Sequence, residues 1–253
     1  MRSIWFLLLL SGCATSPGSK TDPLEHTEPH VVSIDNGVKI HPIHHSALVI
    51  QWEQYAFYID PHDSISRYTG LPSPDVVLIT DIHSDHLDTA ALRALDLSKA
   101  RIIAPAAVIE LLPPYLRQIA DTLSNGESTE LIGVPVEAIP MYNMPDPNDP
   151  RHPKGRGNGY VLTFGDQRVY ISGDTEDIPE MRSLKNIDIA FVCMNLPYTM
   201  TVDQAASAVL EFKPKVVYPY HYRGQDGMSD VDRFKQLVNS GDGNIEVKLA
   251  KWY

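Results

Sequence analysis

The sequence predicts an α/β protein in which two β-sheets pack face to face with helices outside, an αββα four-layer sandwich. Three observations predict it. Strand-like segments come in two blocks, each passing into mixed helices and strands. Runs such as VVLIT (76–80) and IDIAFVCM (187–194) lack polar alternation, as expected of strands buried on both faces. Roughly 230 residues follow the first dozen, enough to bury such a core without staples. Periodicity by itself leaves a general α/β fold open.

The elements follow in order. SALVIQW (46–52) and YAFYID (55–60) are β-branched and aromatic runs separated by a short polar turn, a predicted hairpin. VVLIT is the next strand, and TAALRALD (89–96) a helix with Asp88 as its N-cap. RIIAP (101–105) is a short strand. AVIELL (107–112) and YLRQIA (115–120) read as helix pieces broken by Pro113 and Pro114. TELIG, VEAIPM, YVLTFG and RVYIS form the second strand block, with GDQR a hairpin turn. VDQAASAVLEF (202–212) is a helix capped by Thr201. KVVYPY is a strand, DVDRFKQLV a helix and NIEVKLA (244–250) a last strand. The Pro-rich MPDPNDPRHPKGRG (144–157) is a long loop, and long loops in compact domains often carry function.

The N-terminus reads as a targeting segment. Arg2, an apolar run and LSGC ending at Cys13 match a secretory signal whose cysteine becomes lipidated after cleavage, like a bacterial lipobox. Residues 1–12 are then a signal peptide and 13–30, rich in Ser, Thr, Pro and Gly, a tether. The folded domain is expected over 31–253. A cell-envelope location with a lipid anchor follows, and Ala14 favours the outer membrane if the source is Gram-negative. Cys193, in an apolar string, reads as a buried inert thiol. The net charge of −11 repels phosphate backbones, so nucleic acid is not an expected partner.

The chemistry concentrates after strands. ITDIHSDHLD places Asp81, His83, Asp85, His86 and Asp88 in one short segment directly off VVLIT. If that segment is extended, alternate side chains point the same way, so Asp81, His83 and Asp85 converge. Imidazoles and carboxylates so clustered suit a divalent ion. Asp174, in SGDT, and His221, in YPYHY, also end strands and are expected at the same edge.

These strings resemble the metallo-β-lactamase superfamily, in particular its broad lactonase and N-acyl-phosphatidylethanolamine phospholipase D-like group. The group's H-x-H-x-D-H signature corresponds to Asp81-x-His83-x-Asp85-His86, followed by Asp174 in SGDT and the late His221. HHSALVIQWEQYAFYIDP resembles its opening hairpin, ending in Asp60. Two departures stand out. Asp81 replaces the first signature histidine, and Asn143 stands where the middle histidine is expected, with His152 the nearby replacement. The resemblance implies one site of Asp81, His83 and His152, a second of Asp85, His86 and His221, and Asp174 bridging. Asp60 is expected to support a ligand histidine from behind.

The implied activity is hydrolysis of an ester, lactone or phosphodiester bond by a metal-activated hydroxide, with Asp85 binding metal and orienting the water. One or two divalent ions (Zn, Mn or Fe) are expected, Asp81 making its site harder. A small-molecule or lipid-like substrate is the expected partner. The alternative is a metal-binding envelope protein whose altered site no longer hydrolyses. His44 and His45 follow a short strand and either face the site from the opposite hairpin or, the favoured reading, are structural; His26, His30, His41 and His62 are expected at the surface. Tyr198, Tyr220 and Tyr222 are candidates to line the cleft. Lys154 and Arg156 are weaker candidates for contacting an anionic substrate.

Overall fold

A computed structural model describes Met1 and residues 32–33, 37–144 and 151–253. The signal segment, Cys13 and the tether lie outside the described residues, as does 145–150 of the Pro-rich loop.

The first sheet runs in sequence order through β1 (Val32–Ser33), β2 (Val38–His44), β3 (Ala47–Trp52), β4 (Tyr55–Ile59), β5 (Val76–Leu78), β6 (Arg101–Ala104) and β7 (Ala120–Thr122). The helices α1 (Thr89–Ala94), α2 (Ala106–Leu111) and α3 (Pro114–Arg117) connect its later strands. The second sheet takes β8 (Ser128–Leu131), β9 (Val134–Met141), β10 (Gly157–Phe164), β11 (Gln167–Ile171), β12 (Ile189–Cys193), β13 (Val216–Tyr220) and β16 (Glu246–Val247). Between them come α4 (Pro179–Arg182), α5 (Val202–Phe212), the small hairpin β14 (Arg223–Gly224) with β15 (Gly227–Met228), and α6 (Val231–Gly241).

Side-chain alternation builds the layers. Leu48, Ile50, Phe57, Ile59, Val76 and Leu78 point inward and share one core with Val136, Tyr160, Leu162 and Val169 of the second sheet. Their neighbours Val49, Ala56, Tyr58 and Val77 point the other way, into a cluster with Leu92, Val108 and Leu116 of the first helical layer. Strands covered on both faces have no use for polar alternation, which is why the sequence runs there are continuously apolar. The predicted four-layer sandwich is the observed architecture.

Caps stop the helices where the sequence suggests. Asp88 accepts from the backbone N–H groups of Ala90 and Ala91. Thr201 and Gln204 form a reciprocal capping box at the start of α5. Two expectations change. YLRQIA does not continue as a helix: after the Pro114 turn its last residue enters β7, which pairs with β6. NIEVKLA contributes only Glu246 and Val247 to the sheet.

Topology decides where chemistry can gather. β4, β5 and β6 are mutually parallel, and so are β11, β12 and β13. β9 and β11 both run antiparallel to β10. The carboxyl ends of these strands therefore share one edge, together with the β2–β3 turn and the entry to β10. In α/β sheets that edge is where ligands bind. The two sheets are stitched there by Asn158 N–H donating to the Thr80 carbonyl at 2.9 Å and Tyr160 O–H to that of Ile79 at 2.8 Å. Gly159 is needed at this seam, because a Cβ there would lie 2.9 Å from the carbonyl oxygens of Ile171 and Ser172.

Candidate metal centre

Each residue expected at the site arrives from a strand end. Asp60 follows β4, the 81–86 segment follows β5, Asp174 follows β11 and His221 follows β13. Asn143 follows β9, and His152 leads toward β10. Asp60 and His221 both adopt left-handed backbone, each with φ 45. That region is costly for a side chain bearing Cβ and is found where a site demands it.

The 81–86 segment is a turn and not the extended run expected from spacing. The N–H groups of His86 and Leu87 both bond back to the His83 carbonyl, at 3.0 and 2.7 Å. The turn splits the motif. Asp81 and His83 group with His152, while Asp85 faces His221 and His45, and His86 groups with Asp174 and His221.

Asp174 stands between the groups. Its Oδ2 lies 3.4 Å from His86 Nε2 and 3.4 Å from His152 Nε2, and its Oδ1 lies 3.0 Å from His221 Nε2. Asp85 Oδ2 is 3.4 Å from His221 Nε2 and 3.9 Å from His86 Nε2. Asp81 Oδ2 is 2.8 Å from His83 Nδ1 and 3.9 Å from His152 Nε2.

The far side of each ring is tied down. Asp60 Oδ2 lies 2.8 Å from His86 Nδ1 while accepting from Thr80 Oγ1 at 2.6 Å, and Asp60 Oδ1 accepts from Thr80 N–H at 2.7 Å. Asn143 Oδ1 lies 2.7 Å from His152 Nδ1 and accepts from His152 N–H at 3.0 Å. With Nδ1 the donor in both pairs, Nε2 carries the lone pair. Asp60 lies behind the His86 ring. Asn143 holds the ring of His152 in the same way.

The inward atoms fit a metal. His86 Nε2, His152 Nε2 and Asp174 Oδ1 are buried with no hydrogen-bond partner. Buried polar atoms left so are rare and call for an explanation, and bound cations would supply one. The donor set is imidazole nitrogen and carboxylate oxygen, suited to Zn, Mn or Fe. Cys193 takes no part: burial pushes its thiol up to about 12.

Electrostatics follow the same plan. Burial alone would raise Asp174, but His221 and His86 outweigh it and hold the carboxyl well below its usual range. Burial likewise opposes charge on His86, yet Asp174, Asp60 and Asp85 raise it well above 6.5. For Asp81, burial is outweighed by the His83 hydrogen bond, the His86 charge and Arg156, leaving it at about 2.

Other residues contribute. His45, for which the sequence favours a structural role over one facing the site, sits at φ 55 in the β2–β3 turn with Nε2 3.3 Å from Asp85 Oδ2 and Nδ1 3.1 Å from His221 Nδ1. Ser46 beside it donates to the Asp85 carbonyl. The HHS string between two strands is the one sequence signal that points there. Asn195 Nδ2 reaches His221 Nε2 at 3.2 Å. Arg156 does not face substrate but forks Asp81, Nε to Oδ1 at 3.0 Å and Nη2 to Oδ2 at 2.9 Å. Lys154 pairs with Glu180 at 2.6 Å. His41 is buried against Gln51 and not at the surface. Tyr198 lines the cavity over the site, whereas Tyr220 is buried beneath it, its hydroxyl accepting from Gly173 N–H.

The chain resembles known proteins over most of its length. A family model described as a beta-lactamase superfamily domain matches residues 39–221. The chain is 29% identical over 224 residues to a UPF0173 metal-dependent hydrolase of Pyrococcus horikoshii, covering 85% of this chain and 96% of that one. A crystal structure from Parabacteroides distasonis, described as a candidate metal-dependent hydrolase, superposes with TM-score 0.78 at 38% identity, covering 89% of this chain and 99% of the other. Igni18, a metallo hydrolase of Ignicoccus hospitalis, shares the fold with TM-score 0.71 at 23% identity, over 85% of this chain and 95% of that one.

Proposed function

Since the chain belongs to the beta-lactamase superfamily domain family and is a metal-dependent hydrolase within it, we propose that it cleaves an ester, lactone or phosphodiester bond of a small molecule at the Asp174-centred cluster. The observation that carries this reading is the set of buried atoms His86 Nε2, His152 Nε2 and Asp174 Oδ1, without hydrogen-bond partners, in two His/Asp groups on either side of Asp174. In it, Asp81, His83 and His152 would hold one ion and Asp85, His86 and His221 a second, with Asp174 between the two groups.

Such an ion supplies Lewis acidity and brings the pKa of coordinated water toward ~7. The chain's residues do the rest. Asp85, partly open to the cavity, is ionised throughout the neutral range, because His86, His45 and His221 outweigh the burial that would raise it. Its Oδ2 can therefore accept the hydrogen of an attacking water and orient the oxygen. His45 steadies Asp85 from the turn, and Asp60 fixes the ring of His86. The cavity above the cluster, about 580 Å³, is in the range that small-molecule sites occupy.

Elemental analysis of the purified protein, with turnover of an ester, lactone and phosphodiester panel, tests this. About two ions per chain, loss of metal in His86→Ala and turnover of at least one bond class are expected. No metal after reloading with Zn or Mn would overturn it.

For the N-terminus, the lipobox-like LSGC motif supports our proposal that Cys13 carries a lipid anchor to the cell envelope. Cys13→Ser should shift the protein from the membrane fraction to the soluble one. Unchanged fractionation would refute the anchor.

A further inference from the structure

We propose that the substrate carries an anionic group, a phosphate or a carboxylate, at a distance from the scissile bond, and that Arg223 and Arg151 receive it. This rests on the hydrolase reading above and names the substrate class of the same site.

Among the described residues, Asp85 and Asp174 are the carboxylates that line the cavity. Both belong to the candidate metal site, where bound cations would offset their charge. Arg151, Tyr198, Arg223 and Gln225 line it as well. A protein of net charge −11 repels anions at long range. The Arg223 guanidinium on the wall of its reaction cavity opposes that sign locally.

Arg223 is held in place without being neutralised. Its guanidinium lies over the Tyr253 ring, 4.6 Å from the centroid, and its backbone N–H donates to the Tyr253 hydroxyl at 3.2 Å. The same hydroxyl meets His45 Nδ1 at 2.7 Å, so one phenol ties the cation to the reaction floor. Among the described residues, no carboxylate forms an ion pair with Arg223 and no acceptor takes a hydrogen bond from its guanidinium. A planar cation fixed on a ring, with its N–H fork unused, is built to receive a bidentate oxyanion. Gln225 N–H donates to the Leu196 carbonyl at 2.9 Å, which fastens the hairpin that carries Arg223 to the loop after β12.

Arg151 flanks the same cavity. It donates from Nη1 to the Pro197 carbonyl at 2.7 Å and lies over the Tyr198 ring, 5.2 Å from the centroid. Arg223 lies beyond residues 39–221, which the family model matches.

The test uses the metal-reconstituted full chain and three matched aryl acetates: 4-acetoxybenzoate, 4-acetoxybenzyl phosphate and neutral 4-acetoxybenzyl alcohol. Binding of phenylphosphonate and of neutral benzyl alcohol is measured in parallel by calorimetry. The wild type is expected to prefer an anionic ester over the neutral one in kcat/KM, the better anion identifying phosphate or carboxylate. Arg223→Met should lower that preference about tenfold, and weaken phenylphosphonate by a similar factor. Lys154→Met, outside the cavity, should leave the preference where it was. No preference in the wild type, or one that survives both Arg223→Met and Arg151→Met, would overturn the proposal. Arginine-dependent phenylphosphonate binding without hydrolysis of any ester would instead sink the hydrolase reading and leave the anion site standing.

Discussion

Arg156 grips Asp81 through both carboxylate oxygens, at 3.0 and 2.9 Å, and Asp81 is wholly buried. An aspartate in the place of the motif's first histidine brings a negative charge where a neutral ring is usual. The guanidinium returns the pair to neutrality.

Arg156→Ala should therefore destabilise the metal-free protein, by about 2–4 kcal/mol, since it strips a buried carboxylate of its counter-charge. Metal should restore part of that loss, so the rise in Tm on loading becomes larger than in the wild type. Calorimetry of both forms checks this. The acid dependence should change as well. A carboxyl held at about 2 against an ordinary 3.8 stabilises the fold above 3.8, and that stability is lost as pH falls through 2. With Arg156 gone the shift shrinks, and the metal-free variant should lose less stability between these two values.

Asp60→Asn keeps the shape but presents an amide that can donate to His86 Nδ1. The ring would then carry its proton on Nε2, the inward atom. Metal affinity should fall 10–100-fold with little change in fold. Competition with a metal-sensitive dye, alongside circular dichroism, measures both.

Asn143→Leu removes the oxygen that holds His152 Nδ1. Asp85, His86 and His221 do not touch Asn143, so the expected outcome is a drop of about one ion per chain, read by elemental analysis. Equal loss from both groups would show that they do not fill independently.

Metal uptake should release protons. In the metal-free protein the carboxylates around His86 raise its pKa well above 6.5, against the opposing effect of burial. The sign is that of a raised base: the stabilisation is complete below 6.5 and fades as pH climbs through the folded value. A metal must displace that proton, so apparent affinity should weaken as pH falls, beginning above 6.5. Calorimetric titration in buffers of different ionisation enthalpy counts the protons. A pH-independent affinity would contradict the pairing of His86 with Asp174 and Asp60.

The sequence by itself determined the layer architecture and most of the residues that meet around Asp174. Continuous apolar runs such as VVLIT signal burial on both faces, and histidines and aspartates crowded after strands signal a metal, because both patterns are local and the physics that reads them is local. His86, Asp174 and His221 were legible in this way. The tertiary structure alone decided how these groups are held. The 81–86 turn replaced an extended run because two N–H groups close on the His83 carbonyl. Asn143 orients His152, Arg156 meets Asp81 across 75 positions, and Tyr253 reaches both His45 and Arg223. Such contacts depend on which strand ends share an edge. Strand order and direction set that, and no short window of residues contains it.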